Sequence, residues 1–240
     1  MTPETGKVIK ETAFLKGYSA VEVLKWVAAK YEGKITLSSA LGPECQVLLD
    51  IIQQNSINIL VFTLDTGRFF YETYNLISKT EEYYGLKFKV YFPDAADIEK
   101  MVSKSGINLF YKSISMRKEC CYNRKLLPLE RALEGMECWV TGLRKEQSET
   151  RDDMEIIEWD SERNMIKINP LINWSETQIW DYIKQNNVPY NPLHDQGYPS
   201  IGCACCTRQV QAGDHQRSGR WWWEKPEHKE CGLHIKNGTR

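Results

Sequence analysis

Cysteine carries most of the chemistry that this sequence could perform. Eight cysteines occur in 240 residues, and six fall in settings unlike an ordinary buried thiol: Cys120-Cys121, Cys203-Ala204-Cys205-Cys206, and Cys231 within Lys229-Glu230-Cys231-Gly232-Leu233-His234. The last of these stands among charged groups rather than inside an apolar run. Thiolate is the nucleophilic form, and cations such as Lys229 and His234 lower a cysteine pKa. Cys231 therefore reads as a nucleophile, against the plainer reading of an exposed thiol in a tail.

Cys120, Cys121, Cys203 and Cys206 supply four thiolates, the number taken by zinc and by [4Fe–4S] clusters alike. The C-x-x-C spacing of Cys203 and Cys206 lets two sulfurs converge, with Cys205 expected to point elsewhere. Adjacent cysteines on a helix diverge by about 100°, which is awkward for one zinc ion. A cuboidal cluster can receive diverging sulfurs on different irons, so the spacing favours iron–sulfur over zinc. A packing pair beside a metal-free loop remains the structural alternative. Cations accompany the thiols: 117–125 carries four cations against one carboxylate, and Arg208, Arg217 and Arg220 follow later. Such clusters suit a small anionic ligand or a solvated face.

Composition narrows the setting. The formal net charge is -1, so no global field points to nucleic acid or a membrane surface. A 42% hydrophobic share builds a soluble core. No apolar run approaches the roughly 18 residues of a membrane helix, and the polar residues 1–10 lack a signal-peptide core. A cytoplasmic protein is expected, and in that reducing compartment eight cysteines point to metal binding or catalysis rather than disulfides. Nothing excludes a homo-oligomer.

The elements that must position these groups alternate. Residues 18–31 read as a helix capped by Ser19, within a helical lead-in over 1–30. A strand over 34–38 runs into Ser39-Ala40-Leu41-Gly42-Pro43-Glu44 and a helix over 45–54, an order that can aim backbone N–H groups at a phosphate. The apolar run 57–64 reads as a central parallel strand ending in Asp65-Thr66-Gly67-Arg68. A helix over 69–84, a strand over 87–92 and a helix over 95–104 follow. Residues 116–133 read as one helix broken or bent at Pro128. Strands over 137–141 and 165–168 flank a polar loop over 146–164, and a helix over 174–185 is capped by Ser175. The pattern predicts an α/β fold with a doubly wound, mainly parallel sheet. Its ligands bind beyond the C-terminal strand ends, where Ser38, Ser39, Asp65, Thr66 and Gly67 fall. A nucleotide-binding α/β domain over 31–200 is expected to carry a loop-rich segment, 201–240, that holds the cluster-ligand loop and a mobile catalytic tail.

Seven motifs occur in order: Ser38-Ser39 with Gly42, Leu64-Asp65-Thr66-Gly67-Arg68, Cys120-Cys121-x-x-Arg124-Lys125-x-x-Pro128-Leu129, Thr141-Gly142-Leu143-Arg144, Cys203-x-x-Cys206, Arg217-x-Gly219-Arg220-Trp221-Trp222-Trp223, and Glu230-Cys231-Gly232-Leu233-His234. Together they resemble the assimilatory adenylylsulfate (APS) reductases, within the wider phosphoadenylylsulfate (PAPS) reductase family. The likeness runs from about Thr36 to His234. It implies an adenine-nucleotide hydrolase-like fold, a [4Fe–4S] cluster on Cys120, Cys121, Cys203 and Cys206, and thioredoxin or a glutaredoxin-like protein as reductant. The implied reaction is reduction of adenosine 5′-phosphosulfate to sulfite and AMP in sulfate assimilation, a step toward cysteine. Cys231 would be the catalytic nucleophile. Lys125, Arg217, Arg220 and His234 would meet the substrate's anionic groups, Arg144 would join them, and Ser38, Ser39, Asp65, Thr66 and Gly67 would line the nucleotide site. The Ser-Gly-Gly-x-Asp-Ser loop of AMP-forming ATP pyrophosphatases is missing, which argues against ATP chemistry. A PAPS or dual-substrate reductase stays open, as does a zinc-stapled nucleotide-binding regulator without catalysis.

Overall fold

Alternating apolar strands and amphipathic helices build one six-stranded sheet in a computed structural model that describes residues 12–147, 151, 153–211 and 213–225. The strands are β1 (Ile35–Ser39), β2 (Leu60–Leu64), β3 (Lys89–Tyr91), β4 (Cys138–Val140), β5 (Ile157–Asp160) and β6 (Met165–Ile168), in the order β3-β2-β1-β4-β6-β5. β1 is parallel to both β2 and β4, β4 is parallel to β6, and β5 runs antiparallel to β6. This is the expected doubly wound, mainly parallel arrangement. Strand order reverses between β1 and β4, so the crevice beyond their C-terminal ends is the topological switch point.

The helices are α1 (Ala20–Lys30), α2 (Pro43–Gln54), α3 (Tyr71–Tyr84), α4 (Ala95–Ser105), α5 (Ile114–Cys121), α6 (Leu127–Leu133) and α7 (Glu176–Asn186). Their starts follow local chemistry. Ser19 and Ser175 form capping boxes with Glu22 and Gln178, each satisfying two otherwise orphaned N–H groups. Asp94 accepts from Ala96 and Asp97 to cap α4. Gly42 precedes Pro43, which opens α2 because its missing N–H would have had no helical partner there.

Two expectations change. Residues 146–164 do not form one loop over the sheet. Ile157–Asp160 is an edge strand paired with Met165–Ile168, and Asn164 turns at φ 54 just before β6. Nor does Pro128 break the helix at its own position. The irregularity lies upstream, where Tyr122–Leu126 is a π-helical turn between α5 and α6, and Pro128 stands in the first turn of α6. Proline lacks an N–H and crowds the carbonyl four residues back. The strain is relieved by widening the turn that contains that residue, Arg124.

By internal contacts the chain forms two compact units. One comprises Met1–Thr63, Leu76–Lys89 and Gly135–Tyr190; the other comprises Leu64–Asn75, Val90–Glu134 and Asn191–Arg240. The first holds most of the sheet, and α2 is its most buried helix. Asp50 of α2 is fully buried and accepts from the phenols of Tyr84 (2.9 Å) and Tyr182 (2.8 Å), while the Gln46 amide donates to Thr80 and to the Pro189 carbonyl. Without such partners these polar groups would each cost several kcal/mol to bury, in the range of about 2–7. Among the described residues no helix is long and apolar enough to cross a membrane.

Candidate active site

In the first unit the chain leaves β1 through Ser38-Ser39 and enters α2. Leu41 takes φ 60, and its N–H donates to the Ser39 hydroxyl at 3.3 Å. Cys45 closes the turn from behind: its sulfur accepts from the Ala40 N–H and donates to the Ser38 carbonyl. Burial pushes the Cys45 thiol up to about 11, which makes it a packing group. Cys138 on β4 is wholly buried, and burial raises its pKa too. Gly142 has no room for a side chain, because a Cβ there would meet Cys45 Sγ at 3.0 Å and Glu44 Cβ at 3.1 Å. Arg144 is buried and held by carboxylates, with Nε 2.8 Å from Glu44 and Nη1 3.1 Å from Glu146. Its fork braces the start of α2.

In the second unit the structure gathers the cysteines that lie far apart in sequence. Cys120, Cys121, Cys203, Cys205 and Cys206 line one cavity together with Arg68, Phe110, Arg117, Arg124 and Lys125. Cys120, Cys203 and Cys206 pack in a single apolar cluster with Leu109, Phe110 and Trp221. All seven described cysteines are free thiols. Cys205 does not point elsewhere as expected. The tight turn Ala204–Cys206 brings its sulfur 3.8 Å from Cys206 Sγ, on the same cavity wall. Its pKa is drawn down by the hydrogen bond from Cys206 and by Arg68, against the opposing pull of burial, while Cys206 is raised.

The turn after β2 is fastened to this cavity. Gly67 adopts φ 69, a conformation that costs glycine little, and its N–H donates to Asp65 Oδ1 at 2.7 Å. Tyr74 donates to the same oxygen. The Thr66 hydroxyl lies 3.2 Å from Cys203 Sγ, the Thr66 carbonyl accepts from Arg124 at 2.6 Å, and the Arg68 carbonyl accepts from the Ala204 N–H. Asp65, Thr66 and Gly67 thus belong to the frame of the cysteine site.

The late arginine motif pairs with the C-x-x-C loop. Thr207 and Arg220 form a short antiparallel bridge, the Arg208 N–H donates to the Gly219 carbonyl, and the Trp221 N–H donates to the Cys206 carbonyl. Gly202 makes room for the buried Arg220, since a Cβ there would lie 2.3 Å from Arg220 Nη2. Three guanidinium groups surround the buried Trp221 ring: Arg117 and Arg220 at 4.8 Å and Arg217 at 5.7 Å. A desolvated cation over an indole face contributes on the order of 2 kcal/mol. Trp222 and Trp223 pack edge to face on each other, and Trp223 packs on Tyr111. Cys231 and His234 lie outside the described residues.

The donor set can be tested against a metal. A single zinc ion would need its sulfurs drawn to about 2.3 Å of one point. No three His, Cys, Asp or Glu among the described residues are so placed. The five sulfurs share one cavity. Around it, Arg68 Nε, Arg124 Nε and Trp221 Nε1 are buried donor atoms with no acceptor among the described residues, and leaving such atoms unsatisfied is costly. Gathered cysteines and stranded N–H donors would suit a group that brings its own anionic acceptors, as inorganic sulfide does.

Spacing identified the cysteines, and the motif carrying Arg124 and Lys125 already contained two cavity residues. Arg68, Arg117 and Glu224 were not singled out. Arg68 ends a quoted motif and Arg117 opens the cation-bearing stretch 117–125, whereas nothing local distinguishes Glu224 from a surface charge.

Comparison with known proteins gives the family of the chain. The phosphoadenosine phosphosulfate reductase domain family matches residues 34–209. An adenosine 5′-phosphosulfate reductase of Allochromatium vinosum is 50% identical over 216 residues, covering 90% of this chain and 84% of its own. A protein of the same name from Agrobacterium fabrum is 46% identical, with 93% and 85% covered. The crystal structure of a PAPS reductase from Candida auris, in a phosphate complex, superposes with a TM-score of 0.72 at 30% identity, covering 88% of this chain and 98% of that one. With its doubly wound sheet of the adenine-nucleotide hydrolase-like type and its paired-cysteine motifs, the chain belongs to the phosphoadenosine phosphosulfate reductase domain family.

Proposed function

We propose that the protein is a thioredoxin-dependent adenylylsulfate reductase that converts adenosine 5′-phosphosulfate to sulfite and AMP in sulfate assimilation. The observation that carries this reading is the cavity in which five cysteines meet Arg68, Arg117, Arg124 and Lys125. Its relatives' shared name supplies the substrate class. In the first step the Cys231 thiolate attacks the sulfuryl sulfur. An S–S bond forms, the S–O bond to phosphate breaks, and AMP departs with that electron pair. In the second step a thiolate of the reductant attacks Cys231 Sγ, and sulfite leaves with the S–S bonding pair. The reductant's second thiol then resolves the mixed disulfide and restores Cys231. The dithiol supplies both electrons, so sulfur passes from the sulfate to the sulfite level without another donor.

Cys120, Cys121, Cys203 and Cys206 would hold a [4Fe–4S] cluster, whose contribution when bound is a local field and a covalent staple between α5 and the C-x-x-C loop. Lys125, Arg217, Arg220 and His234 would bind the anionic groups, with arginine forks matched to phosphate and sulfate oxygens. Ser38 and Ser39 would serve the nucleotide, as would Asp65, Thr66 and Gly67. Arg144 would act by bracing Glu44 at the start of α2. A cytoplasmic setting, with its reducing thiol pool, suits free cysteines of this number.

The test is anaerobic purification, iron and sulfide analysis, and a sulfite assay with thioredoxin on APS and on PAPS. A brown protein that releases sulfite preferentially from APS is expected. Cys231→Ser should retain the colour and lose turnover. A serine variant with substantial turnover overturns the mechanism, and preference for PAPS overturns the substrate assignment.

A further inference from the structure

Arg117 lies on α5 one turn before Cys121, a spacing that places both side chains on one helix face. It is 1% exposed, more deeply buried than a lone charge tolerates. Nε and Nη2 meet Glu224 Oε1 and Oε2 at 3.0 and 2.8 Å, a bidentate pair, and the guanidinium lines the same cavity as Cys121. The same group covers the Trp221 ring at 4.8 Å, and the Glu224 N–H closes a turn on the Trp221 carbonyl. Residues 221–224 are thus caged from one side chain of the helix that bears the cysteine pair. Cys231 follows Glu224 by seven residues, a stretch that spans at most about 25 Å when extended.

We propose that Arg117 is a positioning residue that ties the Cys121 sulfur to Glu224 and so fixes the point from which the chain leads to Cys231. The inference rests on Cys121 being a cluster ligand, as read above. The occupant of the cavity and residues 221–224 then hold each other in place: charge on the Cys121 sulfur attracts Arg117, and Arg117 keeps Glu224 seated. Neither residue need touch substrate.

The test uses the full chain purified anaerobically, with Glu224→Gln, Arg117→Lys and the double variant R117M/E224M. The double variant removes both charges while keeping side-chain bulk, a change that buried ion pairs often tolerate. Three quantities are read: the iron–thiolate stretching bands in resonance Raman, amide hydrogen exchange over 221–225, and kcat and KM for sulfite release. In Glu224→Gln the iron content should hold, the iron–thiolate bands shift, exchange over 221–225 quicken, and kcat fall by about tenfold with KM nearly constant, as for one weakened charge-assisted hydrogen bond. Arg117→Lys and the folded double variant should change in the same direction. Unaltered bands and exchange in Glu224→Gln and in the double variant overturn the link. If the unsubstituted protein carries no iron, the cluster reading fails separately. Alkylation of Cys121 in the metal-free chain then decides the link, which holds if Glu224→Gln speeds the reaction and falls if the rates are equal.

Discussion

Gly202→Ala should disable Arg220 without touching it. A Cβ at position 202 would lie 2.3 Å from Arg220 Nη2, 2.6 Å from Cζ and 3.0 Å from Nη1. Ordinary contact begins near 3.4 Å, so the guanidinium must retreat by about 1 Å. The retreat is resisted, because Arg220 is buried, lies over the Trp221 ring at 4.8 Å, and donates to Ser200 and the Ile201 carbonyl. Overpacking of this kind costs about 1–3 kcal/mol. For a chain of this length that lowers Tm by roughly 2–12 °C. A 1 Å displacement of a substrate-positioning group, the role proposed for Arg220, costs up to about 100-fold in rate, so kcat/KM for APS should fall by roughly 10- to 100-fold. The assay is sulfite release at 25 °C, well below melting, with folding checked by circular dichroism. The double variant G202A/R220A adds the decisive control. If the alanine acts through Arg220, it should be no worse than Arg220→Ala alone, since the effects share one group. A folded Gly202→Ala with kcat/KM within twofold of the parent, or strict additivity in the double variant, would refute the reasoning.

Further predictions concern the core and the cysteines. Cys203→Ser should lose bound iron and sulfide, measured by elemental analysis, because a hydroxyl is a poor substitute for thiolate in such a cluster; an undiminished content would remove Cys203 from the ligand set. Arg144→Met leaves the Glu44 carboxylate without its buried guanidinium partner and should cost about 3–5 kcal/mol in urea unfolding, with much of it recovered in R144M/E44M. Alkaline pH should destabilise the first unit. Burial, then the hydrogen bonds to Asp50, raise the phenols of Tyr84 and Tyr182 above their ordinary range. The unfolded chain releases these protons near pH 10 and the folded chain only above it, so the unfolded state binds fewer protons and stability falls as pH rises past 10. The slope is at most about 1.4 kcal/mol per pH unit for each phenol, reduced by solvent screening of these half-buried rings. Y84F/Y182F should flatten the dependence of the urea midpoint on pH between 9 and 11; an unchanged slope would assign it to other groups.

Local signals in the sequence were good guides where local chemistry decides the outcome. Ser19 and Ser175 marked helix starts because a hydroxyl three residues before a Glu or Gln satisfies its own neighbours. β5 was hidden because Ile157-Glu158-Trp159-Asp160 stands in a polar stretch and depends on β6 for its pairing. The π-helical turn was hidden because the effect of Pro128 is exerted one turn upstream. At the site, thiol spacing exposed the cysteine set, yet it misdirected Cys205, whose neighbour relation says nothing about how wide the shared cavity is. The Arg117–Glu224 pair joins positions 107 apart, and no short-range pattern encodes such a partner.

The widened turn at Tyr122–Leu126 also makes chain length a control on the site. It holds one residue more than an α-helical turn would between the cysteine pair and α6. Because the widened turn absorbs that residue, deleting Asn123 would return the segment to a regular α-helix with Cys120 and Cys121 facing much as they do now relative to Leu129 and Leu133 in the core. One further residue inserted there would exceed what the turn absorbs and would swing both sulfurs by about 100° around the helix axis, away from their cavity. A one-residue deletion in this short stretch should therefore be better tolerated than a one-residue insertion.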